Sequence, residues 1–254
     1  MGAGHAHALY VHEHTLLHHL APEAKLAAAF LFVVAVAISP PQAIWAFVAF
    51  AAAIVLLVRL ARVRFRFVAG RLLVIVPFVL FAVFIPFIGS GEQVEVLGIS
   101  LSVDGLWSMW NIIAKASIGA TISILLAATT EIPDIVRGMG RLKVPAVLVS
   151  IATFMIRYLE VIAGELGRMR VAMTARGYDP RWLWQAKPIA ASAGALFIRS
   201  YERGERVYDA MLARGYTGAM PDLGHRRATR RDWAIGAALP LFGLAVALAA
   251  GVLT

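Results

Sequence analysis

Apolar residues in this chain come in long runs separated by short polar breaks. Leu72–Ile88, Leu106–Thr130 and Trp233–Leu253 are each near the roughly 20 residues that carry a helix across a bilayer. Prolines stand inside two of them, Pro77 and Pro86 in the first and Pro240 in the last, and Lys115 interrupts the second. Two shorter runs, Leu26–Ile38 and Ala43–Val58, flank Ser39-Pro40-Pro41-Gln42. Prolines stop helices, so the pair predicts a helical hairpin with both ends on one side. Lys25 and Arg59 bound it and suit snorkelling to the surface. Between residues 89 and 105, Val94, Val96, Ile99, Leu101 and Val103 alternate around Gly98, which predicts a short β-hairpin in the loop. The sum is an all-α integral membrane protein of about five transmembrane helices.

The remaining stretch, 131–231, has a different pattern. Its apolar runs Val144–Ile156 and Pro188–Ile198 are shorter than a span. Each continues into charged, helix-favouring sequence. Val149, Ala152, Ile156, Leu159, Ala163, Leu166, Arg170 and Met173 recur in steps of three and four, as do Ile189, Ala193, Leu196, Ser200, Gly204, Val207 and Met211. Such periodicity marks one face of a helix. Ala163, Gly164, Gly167 and Gly204 lie mid-helix, and small residues let helices approach closely. Two long crossing helices are expected, with Arg157 and Glu160 at the apolar-to-charged transition of the first and Arg157 within reach of Glu202 or Glu205.

Charge orients the chain. Of 254 residues, 60% are hydrophobic and 15% charged, and the mean hydropathy is +0.76. That balance excludes a disordered chain and disfavours a soluble enzyme. The formal net charge is +9. Arg59, Arg62, Arg64, Arg66 and Arg71 crowd one link, whereas 89–105 holds Glu92, Glu95 and Asp104 with no Lys or Arg. The stretch Glu131–Arg231 holds 17 Lys and Arg against 9 Asp and Glu. Positive loops stay inside. The N-terminus is therefore expected in the cytoplasm, 89–105 outside, and the whole as a multi-pass protein of the plasma (inner) membrane without a cleavable signal. The domains expected are a cytoplasmic His-rich segment 1–24, membrane helices one to four in 25–130, a cytoplasmic coupling region 131–231, and a last membrane helix in 232–254. Trp107 and Trp110 are expected as interface anchors. Arg226, Arg227, Arg230 and Arg231 are expected to hold the last helix at anionic lipid. The basic balance finds its place at the membrane, and no nucleic-acid role is expected.

Candidate chemistry is sparse. There is no Cys. His5, His7, His12, His14, His18 and His19 invite a metal reading, but Leu16 stands where a His-Glu-x-x-His motif needs histidine. No metal site is therefore assigned. Gly-Lys-Ser and Gly-Lys-Thr are missing, so the chain lacks a phosphate-cradling loop for ATP. Gly-x-Ser-x-Gly is missing too, which argues against a membrane-embedded hydrolase. A self-contained secondary transporter or channel is the main alternative to a non-enzymatic subunit, but it lacks paired intramembrane acids or an inverted repeat. Lys115 is the one clear intramembrane charge, a candidate contact for a partner subunit or a neighbouring helix dipole.

The strongest signal is a repeat. Ala172-Met173-Thr174-Ala175-Arg176-Gly177-Tyr178 matches Ala210-Met211-Leu212-Ala213-Arg214-Gly215-Tyr216 at six of seven positions, 38 residues apart. Gly closes a helix and a cation suits its C-terminal dipole, so each copy is a helix end. Two like ends imply two like docking events.

With these motifs go Met155-Ile156-Arg157-Tyr158, Glu165, Arg168-Met169-Arg170, Pro22-Glu23-Ala24-Lys25-Leu26, Glu131-Ile132-Pro133 and Leu142-Lys143-Val144-Pro145. Together they resemble the T component of an energy-coupling factor (ECF) transporter, and more narrowly the CbiQ-like membrane subunit of cobalt or nickel importers. The resemblance implies a coupling subunit with no catalytic residues and no cofactor of its own. ATP and Mg would sit on two ATP-binding-cassette ATPase partners. A CbiM-like substrate-binding membrane subunit and a small accessory membrane subunit complete the implied assembly. It also implies that Ala175-Arg176-Gly177 and Ala213-Arg214-Gly215 end coupling helices that insert into the ATPases.

Overall fold

The computed structural model describes residues 13, 15–88, 93–96, 99–178, 187–218 and 227–253, with the backbone alone for 93–96 and 99–101. The chain is an all-α membrane protein, and among the described residues two short strands pair beside the helices. Its elements are α1 (Leu16–His19), α2 (Pro22–Ile38), α3 (Ile44–Leu60), α4 (Phe65–Leu72), a 3₁₀ turn (Leu73–Ile75), α5 (Val76–Ile88), β1 (Gln93–Val96), β2 (Ile99–Ser102), α6 (Val103–Thr129), α7 (Ile132–Arg141), α8 (Ala146–Ala175), α9 (Lys187–Ala213) and α10 (Arg230–Leu253).

By contacts these elements form two units. One comprises 9–138 with 226–254, and the other includes 139–225. In the first, α2 packs mainly against α10 and also against α6, while α3 packs against α6 and α10 and not closely along α2 as the expected helical hairpin would. Pro40 and Pro41 follow the end of α2, and Ser39 Oγ donates to the Ala35 carbonyl at 3.0 Å in its last turn. Phe32 and Val36 of α2 and Phe47, Phe50, Ile54 and Val58 of α3 are buried together with Ile118, Ile122 and Leu125 of α6 and Ala250 of α10. Phe32 meets Phe50 edge-on at 5.6 Å, and Phe47 meets Trp110 at 6.0 Å. Edge-to-face pairing suits the ring quadrupoles. Trp110, expected as an interface anchor, thus gives part of its surface to the core.

Pro77 shapes the third apolar run. It lacks an N–H for the Leu73 carbonyl and its ring crowds that group, and the chain takes a 3₁₀ turn just before it. Together α4, the turn and α5 make a continuous 24-residue helix, Phe65–Ile88, longer than the Leu72–Ile88 run. The hairpin between β1 and β2 is antiparallel, with Val94 opposite Leu101. Ser102 then caps α6, its Oγ accepting from the Gly105 N–H at 3.3 Å. At Gly105 a Cβ would stand 2.6 Å from the Pro86 Cα, so only glycine permits the close approach of α6 to α5.

The Pro22–Leu26 segment braces this unit at one end. Lys25 Nζ donates to the Thr129 carbonyl at 2.8 Å, Thr130 Oγ1 at 3.2 Å and the His18 carbonyl at 3.3 Å. Thr129 closes α6, so the cation also meets the negative end of that helix. Glu23 accepts from the Ala228 N–H at 2.7 Å, just ahead of α10. Asp232 in turn accepts from the Thr229 N–H and hydroxyl, both at 2.8 Å.

Two expectations are revised. The coupling region was set to begin at 131, but α7 up to Gly138 belongs with the membrane helices, and a Cβ on Gly138 would stand 2.7 Å from Leu26 Cδ1. Glu131 stands just before α7 and Pro133 lies in its first turn, where proline is tolerated. Among the described residues four helices are, by length and composition, able to cross a membrane: Phe65–Ile88, α6, α8 and α10. The inclusion of α8 departs from the reading of Val144–Ile156 as too short. The helix does not stop at Arg157 but continues through Leu159, Val161 and Ile162 over 30 residues. At 17 residues each, α2 and α3 fall just short of that length.

Candidate functional site: twin arginine-tipped helix ends

The periodic apolar positions give α8 and α9 their lengths, 30 and 27 residues. Each helix then stops in the same way. In α8 the Tyr178 N–H donates to the Met173 carbonyl at 3.1 Å and the Gly177 N–H to the Thr174 carbonyl at 3.0 Å. In α9 the Tyr216 N–H donates to the Met211 carbonyl at 3.0 Å and the Gly215 N–H to the Leu212 carbonyl at 2.9 Å. This crossed pair of bonds is the Schellman cap. It needs a left-handed residue just past the helix, and Gly177 and Gly215 have φ of +78° and +82°. A Cβ on either would meet nothing within 4 Å, so the demand for glycine there is conformational and not steric.

The cap places Arg176 and Arg214 at the last step of each helix. Both are exposed, and neither forms an ion pair with a described residue. Ala175 and Ala213 precede them and are also exposed, so no bulky side chain shields the guanidinium. Such a tip offers a planar fork of N–H donors suited to a carboxylate or to backbone carbonyls.

The two helices meet in opposite senses. Ser192, near the start of α9, donates to Met173 Sδ at 3.5 Å near the end of α8. Further along, Glu165 of α8 accepts from Arg199 at 3.4 Å and from Arg203 at 3.3 Å. Beyond that, Phe154, Tyr158 and Glu165 share a cleft of about 380 Å³ with Arg203, Gly204 and Met211. Met211, near the tip of α9, therefore lines the same cleft as Phe154, which is far along α8 from Met173. The separation along α8 is roughly 28 Å at 1.5 Å per residue.

The other candidate residues fare differently. Arg157 and Glu160 are exposed, and the structure does not bring Arg157 to Glu202 or Glu205. Glu202 sits 3.9 Å from Arg206 on its own helix instead. The arginine–carboxylate link between the helices is made by Glu165, which stands among the residues of the resemblance but without an assigned partner. Nor do Gly167 and Gly204 mark a tight crossing: a Cβ on either meets nothing within 4 Å. Gly204 lines the cleft, which a small residue leaves open. Lys115 points within its own chain, donating to the Ala37 carbonyl at 2.8 Å in the last turn of α2. It thereby satisfies a carbonyl that α2 leaves unpaired at its end. Of the six N-terminal histidines, His18 and His19 are described and the other four lie outside the described residues. His18 Nδ1 is 2.7 Å from Thr15 Oγ1. Among the described residues no cluster suited to a metal ion occurs.

Comparison with known proteins bears on these features. A family model described as CbiQ, cobalt transport protein, matches residues 13–224 and so takes in both arginine-tipped ends. The cobalt transport protein CbiQ of Rhodobacter capsulatus is 33% identical over 157 residues, 61% of this chain and 63% of that protein. The ECF transporter transmembrane protein EcfT of Staphylococcus aureus is 26% identical over 237 residues, 86% of each chain. A Methanocorpusculum labreanum protein named as a fused cobalt transport protein CbiMQ is 26% identical over 109 residues, 43% of this chain and 18% of its own. The chain spans less than two thirds of the Rhodobacter protein, and less than half of two Methanocaldococcus jannaschii relatives. With the family pattern running from the first short helix past both caps, this chain belongs to the CbiQ family of cobalt transport proteins.

Proposed function

We propose that this chain is the transmembrane coupling (T) component of an ECF-type importer for cobalt or nickel. In this reading it sits in the inner membrane with its N-terminus in the cytoplasm. Two ABC-type ATPase subunits bind Arg176 and Arg214, and a substrate-binding membrane subunit receives the movement that they generate. ATP and Mg belong to the ATPases, and this chain contributes no catalytic group. The names of the relatives, cobalt transport protein and ECF transmembrane protein, support the transport role. The fused CbiMQ name supports a close association with a second membrane subunit.

The observation that carries the reading is the pair of chemically matching caps at opposite ends of an antiparallel helix pair. Each guanidinium is presented outward without a described partner, which is how a helix end addresses a groove on another protein. A separation of roughly 28 Å allows two partner subunits, one per tip. When the partners close on ATP, tips held on rigid helices would move as bodies and carry the motion to the membrane segments.

Because the chain has no Cys, single-cysteine variants are clean probes. Thr174→Cys and Leu212→Cys, both exposed beside an arginine, should each cross-link to an ATPase subunit in native membranes. Absence of cross-linking from both positions in an active transporter would remove the basis for the coupling role.

A further inference from the structure

Four arginines crowd the end of α3, the link to α4 and the start of α4, and the coupling role leaves them unused. Arg59, Arg62, Arg64 and Arg66 are exposed and form no ion pair with any described carboxylate. No acidic residue stands anywhere between Glu23 and Glu92, so nothing nearby in the chain offsets them. The segment is nonetheless held firmly in place. Ala61 and Val63, interleaved with the arginines, and Val68 beyond them are buried in the core.

One arginine sits where its backbone is strained. The Val63 N–H donates to the Val58 carbonyl at 3.2 Å and the Arg62 N–H to the Arg59 carbonyl at 3.1 Å. This is the same Schellman cap that ends α8 and α9, but its left-handed position, φ +54°, holds Arg62 instead of glycine. Glycine would adopt this conformation without strain. Keeping arginine makes sense when the guanidinium has a use.

The surroundings indicate what that use is. Leu56 and Leu60 on one side and Phe65, Leu73 and Val74 on the other are exposed. They belong to the apolar helix α3 and to a helix long enough to cross the bilayer. The guanidiniums therefore lie at the edge of a hydrocarbon-facing surface. That is the level of lipid phosphates, where basic residues bind anionic leaflets. A soluble acidic protein would leave the neighbouring Phe65 and Leu73 unmatched.

We propose that Arg59, Arg62, Arg64 and Arg66 form a binding site for anionic phospholipid headgroups, with the acyl chains lying along the exposed residues of α3 and Phe65–Ile88. The site is independent of what the coupling helices hold. The test uses the full chain reconstituted in phosphatidylcholine vesicles with spin-labelled phosphatidylglycerol or phosphatidylcholine as probe. The wild type should prefer phosphatidylglycerol by at least about fivefold at low salt, the factor expected of one guanidinium at an anionic leaflet. The preference should fall as salt is raised. R59Q/R62Q/R64Q/R66Q should show none. R62G guards against a folding defect in that variant: it should melt higher than wild type, because strain is relieved, yet bind phosphatidylglycerol more weakly. An unchanged preference in both variants would overturn the site. So would an unchanged preference together with loss of a co-purifying protein subunit, since that outcome makes the patch an acidic protein's landing surface.

Discussion

The two units of this chain are built to opposite standards. Around α2, α3 and α6, Phe32, Val36, Phe50 and Val58 are almost fully buried, and even the charged Lys25, Glu23 and Asp232 are enclosed with their hydrogen bonds met. In α8 the only buried residue is Ser150, and in α9 no residue is buried. Met155 of α8 is 67% exposed and Phe197 of α9 is 72% exposed. A helix pair with so little core of its own gains little from folding alone, since most helical stability comes from burying an apolar face. Large apolar surface left open marks an interaction site or lipid contact. The membrane unit thus carries a core of its own, whereas the α8–α9 pair leaves its apolar faces open.

The sharpest way to break this comparison is at the arginine tips. Truncating one partner of a buried interfacial charge pair costs about 2–5 kcal/mol of association. R176A and R214A should each weaken ATPase binding, and the double variant should lose it and all uptake. Both tips are exposed, so the melting temperature in detergent should not move. A lowered melting temperature would mean that the tips belong to the fold.

Next in size is a change to the membrane unit alone. G105A drives a Cβ against the Pro86 backbone, and overpacking of this kind costs about 1–3 kcal/mol. Thermal unfolding should register the loss, while the caps of α8 and α9 keep their affinity for a partner at temperatures below the transition.

Smaller still is the cap conformation. G177A or G215A meets no neighbouring atom but must adopt a positive φ, at a cost of roughly 1 kcal/mol. Association with the ATPase should weaken by about tenfold or less, because the arginine remains and only its presentation suffers. An effect as large as that of R176A would show that glycine itself contacts the partner.

The smallest expected effect is at Glu165. E165Q removes the charge that accepts from Arg199, which is exposed, and from Arg203, which is partly exposed, so both pairs reach solvent through the arginine. Exposed pairs contribute about 0–1 kcal/mol, so the melting temperature should barely change. A large fall would mean that this link carries the helix pair by itself.

Much of this was legible in the residues. Apolar runs located α2, α3, α6 and α10 to within a few residues, because a helix in lipid must satisfy its backbone internally and dress itself in apolar side chains, but they began the Phe65–Ile88 helix seven residues late and made the apolar start of α8 too short to span. The alternation of Val94, Val96, Ile99 and Leu101 announced the hairpin, since side chains in a strand point to opposite faces in turn. The duplicated heptapeptide announced the caps, since a positive φ is a local demand that glycine answers wherever it stands.

What stayed hidden was pairing between distant segments. Nothing near Lys25 in the chain points to Thr129 and Thr130, and nothing near Lys115 points to the Ala37 carbonyl. Arg157 was a natural bridge by position, yet the antiparallel approach of α9 brought Arg199 and Arg203 to Glu165 instead. Local composition and periodicity set which segments become helices and how they end. The partner that each buried or charged side chain meets depends on how helices approach in three dimensions, and that is fixed only once the whole chain has closed upon itself.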